Sequence, residues 1–469
     1  MLFALGVAIV AVGVLIAVFS PHAGLLFFWA WFIVRPQEIV RGLGGGVPLE
    51  RILVLALIAS LIVHHRLLKA EPFFFGRITW ALAAFVAVNY LSVFTAVWRS
   101  GALLVANELG KTLVFYFCLI NLITNSRALG RFLWVYVLGI GWLAASSLWA
   151  FGAHPYYAQG IQRATSLGVV SEVTWGDPNV TAANLALSIP VLYALLKGTR
   201  SFLGRIILVG LLALYLICIV LTGSRNGGLL VVVVFLVMAL QSAKRVVLIP
   251  ALFASFILAW FLIPAEYQER YKTLLNIRET VSGQKITSSE GESAYGRVVG
   301  FEVAMQMFVD RPILGVGAGD FAAAWWAKDL PYSYHGYKGW HQPHNLPGQL
   351  LAELGLLGAA TFGYFVFTLL RKNRAARHQL AALRSPPPLL MALGKAIVVV
   401  VIALFVGGLS GHNLYRYNWY LAGGLVALLC RMTEQEKAVA ESSSTDSLEI
   451  ARRRQTVEEI DSIRSTPDN

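Results

Sequence analysis

The sequence predicts an all-α polytopic integral membrane protein of about 12 transmembrane helices, with one large extramembrane loop between the spans near 246–265 and 346–370. Three observations carry that prediction. Hydrophobic residues make up 57% of the chain and charged ones 13%, with a mean hydropathy of +0.66, which lies far from soluble-domain composition. Runs with no Asp, Glu, Lys or Arg, namely Leu2–Val34, Ile206–Thr222, Asn226–Ala243 and Val246–Ala265, reach or approach the roughly 20 residues a spanning helix needs. These runs are continuously apolar rather than alternating, which excludes a β-barrel.

The elements follow in order. Leu2–Val34 is interrupted by Ser20-Pro21, where proline breaks a helix. It is too long for a signal-peptide core and has no basic leader, so it is expected to be retained. Read as one broken or re-entrant unit followed by a span near 48–63, it gives twelve spans and both termini inside. Read as two full spans, it gives thirteen. Further spans are expected near 78–98, 102–123, 131–151, 178–197, 204–222, 226–243, 246–265, 346–370, 390–410 and 413–431. Residues 1–431 form the membrane domain, and residues 432–469 form a Ser- and charge-rich cytoplasmic tail expected to be disordered or partly helical.

Charge sets the orientation. The net charge is +13, and because residues 432–469 carry −4, residues 1–431 carry +17. The excess sits in short connectors: Arg66, Lys69 and Arg77; Arg127 and Arg131; Lys197, Arg200 and Arg205; Lys244 and Arg245; Arg371 to Arg384. The positive-inside rule assigns these to the cytoplasm, which places loops 152–177, 222–226, 266–345 and the turn near His412 outside. Bases confined to short turns, with no soluble domain to present them, exclude a nucleic-acid partner and leave membrane lipids. The three cysteines lie in or at the edge of apolar runs, against a disulfide framework or a Cys metal site.

The outer loops carry the candidate chemistry. His344-Asn345 stands where the loop meets the apolar run Leu346–Leu370, and an imidazole at a membrane face is a credible general base. Within the loop, Val298, Phe301, Met305 and Phe308 recur at helical spacing after Arg297, as in an amphipathic helix lying on or near the outer face. Gly315, Gly317 and Gly319 follow Arg311-Pro312. They suggest either a turn or a phosphate cradle, and no Lys-Ser/Thr follows to make a P-loop. His335, His341 and His344 do not match a helical zinc spacing, so no metal is expected.

Arg225, in Thr222-Gly-Ser-Arg-Asn-Gly-Gly228, lies on the outer side and cannot be a positive-inside residue. It fits either a grip on pyrophosphate or a tight hairpin meeting headgroups. Arg163 raises the same question. Asp177 and Asn179 are natural caps for a helix that Pro178 starts. His412 and Arg416 fall at the outer end of the last helix pair, lining the site or anchoring the interface with the nearby tyrosines and Trp419. Glu353, about 13 Å deeper than His344 on a continuous helix and on the opposite face, is expected to find a partner on a neighbouring helix. Glu108 and Lys111 are expected to offset one another.

Taken together, Thr-Gly-Ser-Arg225, Tyr-Gly-Arg297, the segment Asp310 to Gly317, and His344-Asn345 followed after nine residues by Gly355-Leu-Leu-Gly358 resemble the O-antigen ligase and polymerase superfamily over residues 160–431. The histidine spacing is similar to the ligase signature, and Trp31 to Glu38 more faintly to exosortase-associated ligases. The resemblance implies a twelve-span bacterial inner-membrane glycosyltransferase with its active site in a periplasmic loop. It implies transfer of a glycan from undecaprenyl pyrophosphate to an acceptor hydroxyl, which for a ligase is lipid A–core oligosaccharide, with no metal, cofactor or nucleotide sugar. His344 would be the base, with Arg225, Arg297, Arg163, Asn345, His412 and Arg416 binding substrate. The absence of any Asp-x-Asp fits a metal-free donor. Polymerase, protein O-oligosaccharyltransferase and transporter remain the alternatives.

Overall fold

The computed structural model describes residues 2–36, 49–68, 72–158, 160–165, 177–272, 289–334 and 338–464; for residues 2, 66–68, 289–297 and 443–464 it describes the backbone alone. Among the described residues the regular structure is helical, apart from one hairpin pairing β1 (Tyr157–Ala158) with β2 (Ile161–Gln162). The helices are α1 (Leu2–Phe19), α2 (Pro21–Val34), α3 (Leu49–Ile62), α4 (Arg77–Ser92), α5 (Arg99–Leu122) and α6 (Ser126–Ala153). They continue as α7 (Pro178–Gly198), α8 (Phe202–Leu221), α9 (Arg225–Leu240), α10 (Arg245–Leu262) and α11 (Ala265–Lys272). The last group is α12 (Ser289–Asp310), α13 (Phe321–Trp326), α14 (Leu346–Ala381), α15 (Pro388–Gly408) and α16 (Tyr417–Arg464).

Seven of these, α5, α6, α7, α8, α10, α14 and α15, are long and apolar enough to cross a membrane by length and composition. The expected twelve adds the α1–α2 unit, α3, α4, α9 and α16, which are shorter or run from apolar into charged sequence. The amino-terminal unit is broken where proline predicts: Ser20 caps α2 by accepting a hydrogen bond from the Ala23 N–H. The two halves lie so close that a Cβ on Gly24 would stand 2.5 Å from the Ala17 Cα.

The bundle is built around α7, which packs on α6, α8, α9 and α15. α14 packs on α4, α12, α15 and α16. At the periphery α10 buries no residue at all, and Val246, Phe261 and Leu262 are fully presented to the surroundings, as suits a helix facing lipid. The backbone of the tail continues α16 as far as Arg464.

One end of the bundle, here the loop end, gathers the α4–α5 and α8–α9 connectors, residues 154–158 and 160–165, α11, α12 and residues 311–334 and 338–345. The amphipathic segment after Arg297 lies in α12. Its buried face is Val299, Val303, Ala304 and Met307, while Val298 and Phe301 stay exposed.

The Gly-rich turn is a structural plug, not a phosphate cradle. Six successive N–H groups, from Gly315 to Asp320, are all taken: by the carbonyls of Arg311, Ala352, Glu353 and Gly317, the Ser92 hydroxyl and the Glu353 carboxylate. The plug sits against a break in α14 at Gly355, whose φ of 60° and ψ of −156° are not helical. There the Leu356 and Leu357 N–H groups donate to the carbonyls of Pro312 and Ile313 at 2.8 and 3.1 Å. A helix interrupted inside a bundle needs replacement partners for its freed backbone groups, and the turn supplies them. Glycine is required on both sides: a Cβ on Gly315 would stand 2.4 Å from the Glu353 carbonyl carbon, and one on Gly355 would stand 2.5 Å from that of Ile313.

Candidate functional site

His344 is the residue immediately before the cap of α14. Asn345 caps that helix, its Oδ1 accepting from the Gly348 N–H at 2.5 Å while its Nδ2 donates to the Pro343 carbonyl at 2.8 Å. Both polar ends of Asn345 are therefore engaged in holding the backbone on either side of His344. His344 itself adopts φ +51°, a left-handed conformation uncommon outside glycine. Such conformations persist where the surroundings over-determine them, and they cluster at functional sites. α12 lies directly alongside, since a Cβ on Gly300 would stand 2.8 Å from the Pro343 carbonyl oxygen. Arg297 is three residues, about one turn, earlier on the same helix; its side chain lies outside the described residues, as do His335, Trp175 and Gly176.

The half-buried His344 ring meets His412 edge to face, with centroids 5.3 Å apart. The two histidines differ in kind. Burial, then the charge of Arg416 and then His344, push His412 down to about 3, so it is neutral across the physiological range. Its Nδ1 is buried and has no hydrogen-bond partner among the described residues. A ring that holds protons so weakly is a poor base near neutral pH.

Cations converge from the other elements. Ser224 caps α9, its hydroxyl accepting from the Gly227 N–H at 3.1 Å, which sets Arg225 as the first residue of that helix. The hairpin before it turns at Gly223, φ +56°, and is gripped through its carbonyls. Arg163 Nε donates to Thr222 and Arg270 Nε to Gly223, each at 2.6 Å. Arg163 also reaches Asn179 Oδ1 at 3.2 Å, and that oxygen accepts from the Ser224 hydroxyl at 2.8 Å. Burial lowers Arg163, and the nearby charge of Asp177 opposes that effect. Arg225 stands close enough to lower Arg163 as well. Arg416 is likewise lowered by burial and raised by Asp177. Asp177 caps α7 through the Asn179 N–H at 2.6 Å, as expected.

Thus Arg163 and Arg416 both feel the Asp177 carboxylate, and Arg225 stands close to Arg163. The outer turn of α9 continues to the histidines through Asn226, whose Nδ2 donates to the Gly407 carbonyl at 3.5 Å, five residues before His412. Guanidinium groups in excess over carboxylates, partly withdrawn from water, form a site suited to a multiply charged anion.

Two of the site's supports, Asp320 and Arg270, are not singled out by the sequence, and Glu353 finds partners of another kind than expected. Glu353 meets the Tyr415 hydroxyl at 2.5 Å and the Gly319 N–H at 3.0 Å, so its partners lie on connectors, not on a neighbouring helix. Asp320 is buried close to it, accepting from the Trp98 N–H at 2.6 Å. Arg270 carries no signal in the sequence, because Glu266 to Lys272 reads as an ordinary charged connector. The signal for Asp320 was present in the turn Gly-Ala-Gly-Asp, but its partners are remote in sequence. Glu108 and Lys111 pair as expected, at 2.5 Å and exposed.

No curated protein matches this chain. Residues 210–363 match the family model described as O-antigen ligase, a stretch that includes Arg225, Arg297, the Gly-rich plug, His344-Asn345 and the break at Gly355. Over that stretch this multi-pass membrane protein is similar to the O-antigen ligase family.

Proposed function

We propose that the protein transfers a glycan from undecaprenyl pyrophosphate to an acceptor hydroxyl at the periplasmic face of the bacterial inner membrane, with lipid A–core oligosaccharide as acceptor. The observation that carries this reading is the arrangement at the loop end: one imidazole able to take a proton, set beside a neutral one, with arginines converging from three separate elements. His344 accepts the proton of the acceptor O–H as that oxygen attacks the anomeric carbon. The bond from that carbon to the pyrophosphate oxygen breaks, and its electron pair leaves with the pyrophosphate. Arg225, Arg297 and Arg416 stabilise the charge that develops there, while Arg163 holds the hairpin that presents Arg225. Asn345 sets the His344 backbone, and His412 offers a neutral nitrogen to a substrate hydroxyl. A single displacement inverts the anomeric centre. No step is assigned to a metal or cofactor.

The experiment is reconstitution of the purified protein with undecaprenyl-pyrophosphate glycan and, in parallel, lipid A–core, no further acceptor, or a Ser/Thr peptide. The expected result is product on lipid A–core, falling about 10²–10⁴-fold in His344→Ala, the usual contribution of a positioned base. Chain extension with donor alone would establish a polymerase, and peptide modification a protein transferase. Undiminished transfer by His344→Ala would remove the catalytic assignment.

A further inference from the structure

Between its start and the break at Gly355, α14 presents Gln349 and Glu353 one turn apart on one face. Both are buried, Glu353 completely. Gln349 Oε1 accepts from the Leu414 N–H at 3.3 Å, and Glu353 Oε2 accepts from the Tyr415 hydroxyl at 2.5 Å. The same helix therefore carries His344 at its start and, over the next two turns, grips the connector bearing His412 and Arg416. That connector is tied further by Asn413, whose Nδ2 donates to the Leu404 carbonyl at 2.7 Å and whose carbonyl accepts from Trp419 Nε1 at 3.1 Å.

A completely buried carboxyl is a costly way to fill space, since an apolar side chain of similar volume avoids the desolvation. Glu353 Oε1 has no hydrogen-bond partner among the described residues, nor has Asp320 Oδ1. Burial, then the charge of Glu353, keep Tyr415 well above the ordinary phenol range, so its O–H remains the donor. The feature needing explanation is thus an acceptor placed deep in the bundle for one hydroxyl on the site's own connector.

We propose that Glu353 and Tyr415 are positioning residues for the transfer reaction: their hydrogen bond, with Gln349 beside it, fixes the separation of His412 and Arg416 from His344. This assignment rests on the proposed glycan transfer. Neither residue touches substrate. The tie needs an acceptor oxygen at position 353, not a charge, and a glutamine keeps that oxygen.

The test joins a kinetic and a structural readout on the full chain in lipid nanodiscs. Glu353→Ala and Tyr415→Phe are each expected to lower kcat about 10- to 100-fold, the scale of a lost hydrogen bond to a buried ionisable group, with little change in donor KM. The double variant should be no slower than either single one, because both remove the same bond. Amide exchange over residues 412–416 should quicken in both single variants, and Glu353→Gln should restore both the rate and the protection.

Additive losses, unaltered exchange over 412–416, or failure of glutamine to rescue in a protein whose α14 protection is intact would each overturn the proposal. The exchange readout does not depend on the reaction. If exchange responds as described while the wild-type protein transfers no glycan, the functional reading fails and the tie stands. If His344→Ala abolishes transfer but Glu353→Ala does not, the tie fails and the function stands.

Discussion

Asp320 shows what a single buried carboxyl does to this fold. It is 1% exposed; burial raises it from 3.8 to about 7, against the opposing effect of the Trp98 N–H. Its proton is therefore held more tightly in the folded chain than in the unfolded one. The folded state then binds more protons between about 4 and 7, so stability falls as pH rises through that window and is greatest below it. The full loss is on the order of 4 kcal/mol for a shift of this size. Asp320→Asn keeps an acceptor for Trp98 and has nothing to ionise. Thermal unfolding in detergent at pH 5 and pH 8 should show wild type losing stability relative to the variant, and parallel pH curves for the two would refute the assignment. Residues of this kind are hidden from sequence reading. His344 and Asn345 could be recognised from their place at the loop edge and their spacing to Gly355 and Gly358. Asp320 and Glu353 owe their character to Trp98 and Tyr415, which are 222 and 62 residues away.

At the scale of elements, the spans were legible and their interruption was not. Apolar runs and charged connectors place α5 to α10 and α15 within a few residues, because bilayer thickness and positive charge act locally along the chain, while α4 stops short of its expected end and α14 runs well past it. The break in α14 leaves no such trace: Leu346–Leu370 is largely apolar apart from Gln349 and Glu353, and Gly355 is one of four glycines within it. Only the plug from residues 311–320 explains why Gly355 must leave the helix. The two glycines face one another's backbones, so each substitution has a definite outcome. Gly355→Ala meets both a positive φ and a 2.5 Å approach to Ile313, and Gly315→Ala meets φ +68° and a 2.4 Å approach to Glu353. Each should destabilise by several kcal/mol, beyond the usual 0.5–3 kcal/mol of a point change (roughly). Because either one lifts the same plug, the double variant should lose much less than the sum. Unfolding measured for all three would check this, and strict additivity would show that the plug and the break are not one unit. The face of α12 that packs inward also differs from the one its spacing suggests. Four apolar residues at helical spacing drew attention, yet Val299, Val303, Ala304 and Met307 are the ones that pack inward.

For the whole molecule, the question is which way the bundle stands in its membrane. α14 has 36 residues, roughly 54 Å of helix at 1.5 Å per residue, against a hydrocarbon core of about 30 Å. Even with its break, it must project well beyond one face, and its far third carries Arg371, Lys372, Arg374 and Arg377. Those bases lie at the end opposite His344, together with Arg127, Arg200 and Arg205 beside the starts of α6 and α8. A basic end of this kind is favoured on the cytoplasmic side, which supports the proposal that the histidines and arginines of the site face the periplasm. The short connectors at the loop end carry fewer bases, Arg99, Arg163, Arg225 and Arg416 among them, than those at the opposite end. The native cysteines do not complicate a labelling test, since Cys118 and Cys218 are buried and Cys430 is half-buried. Lys328→Cys at the loop end and Ser385→Cys beyond α14 replace exposed residues. In intact spheroplasts a membrane-impermeant maleimide should label position 328 and not 385, and permeabilisation should add 385. Labelling of 385 alone before permeabilisation would invert the bundle and put the site in the cytoplasm, where a periplasmic acceptor could not reach it.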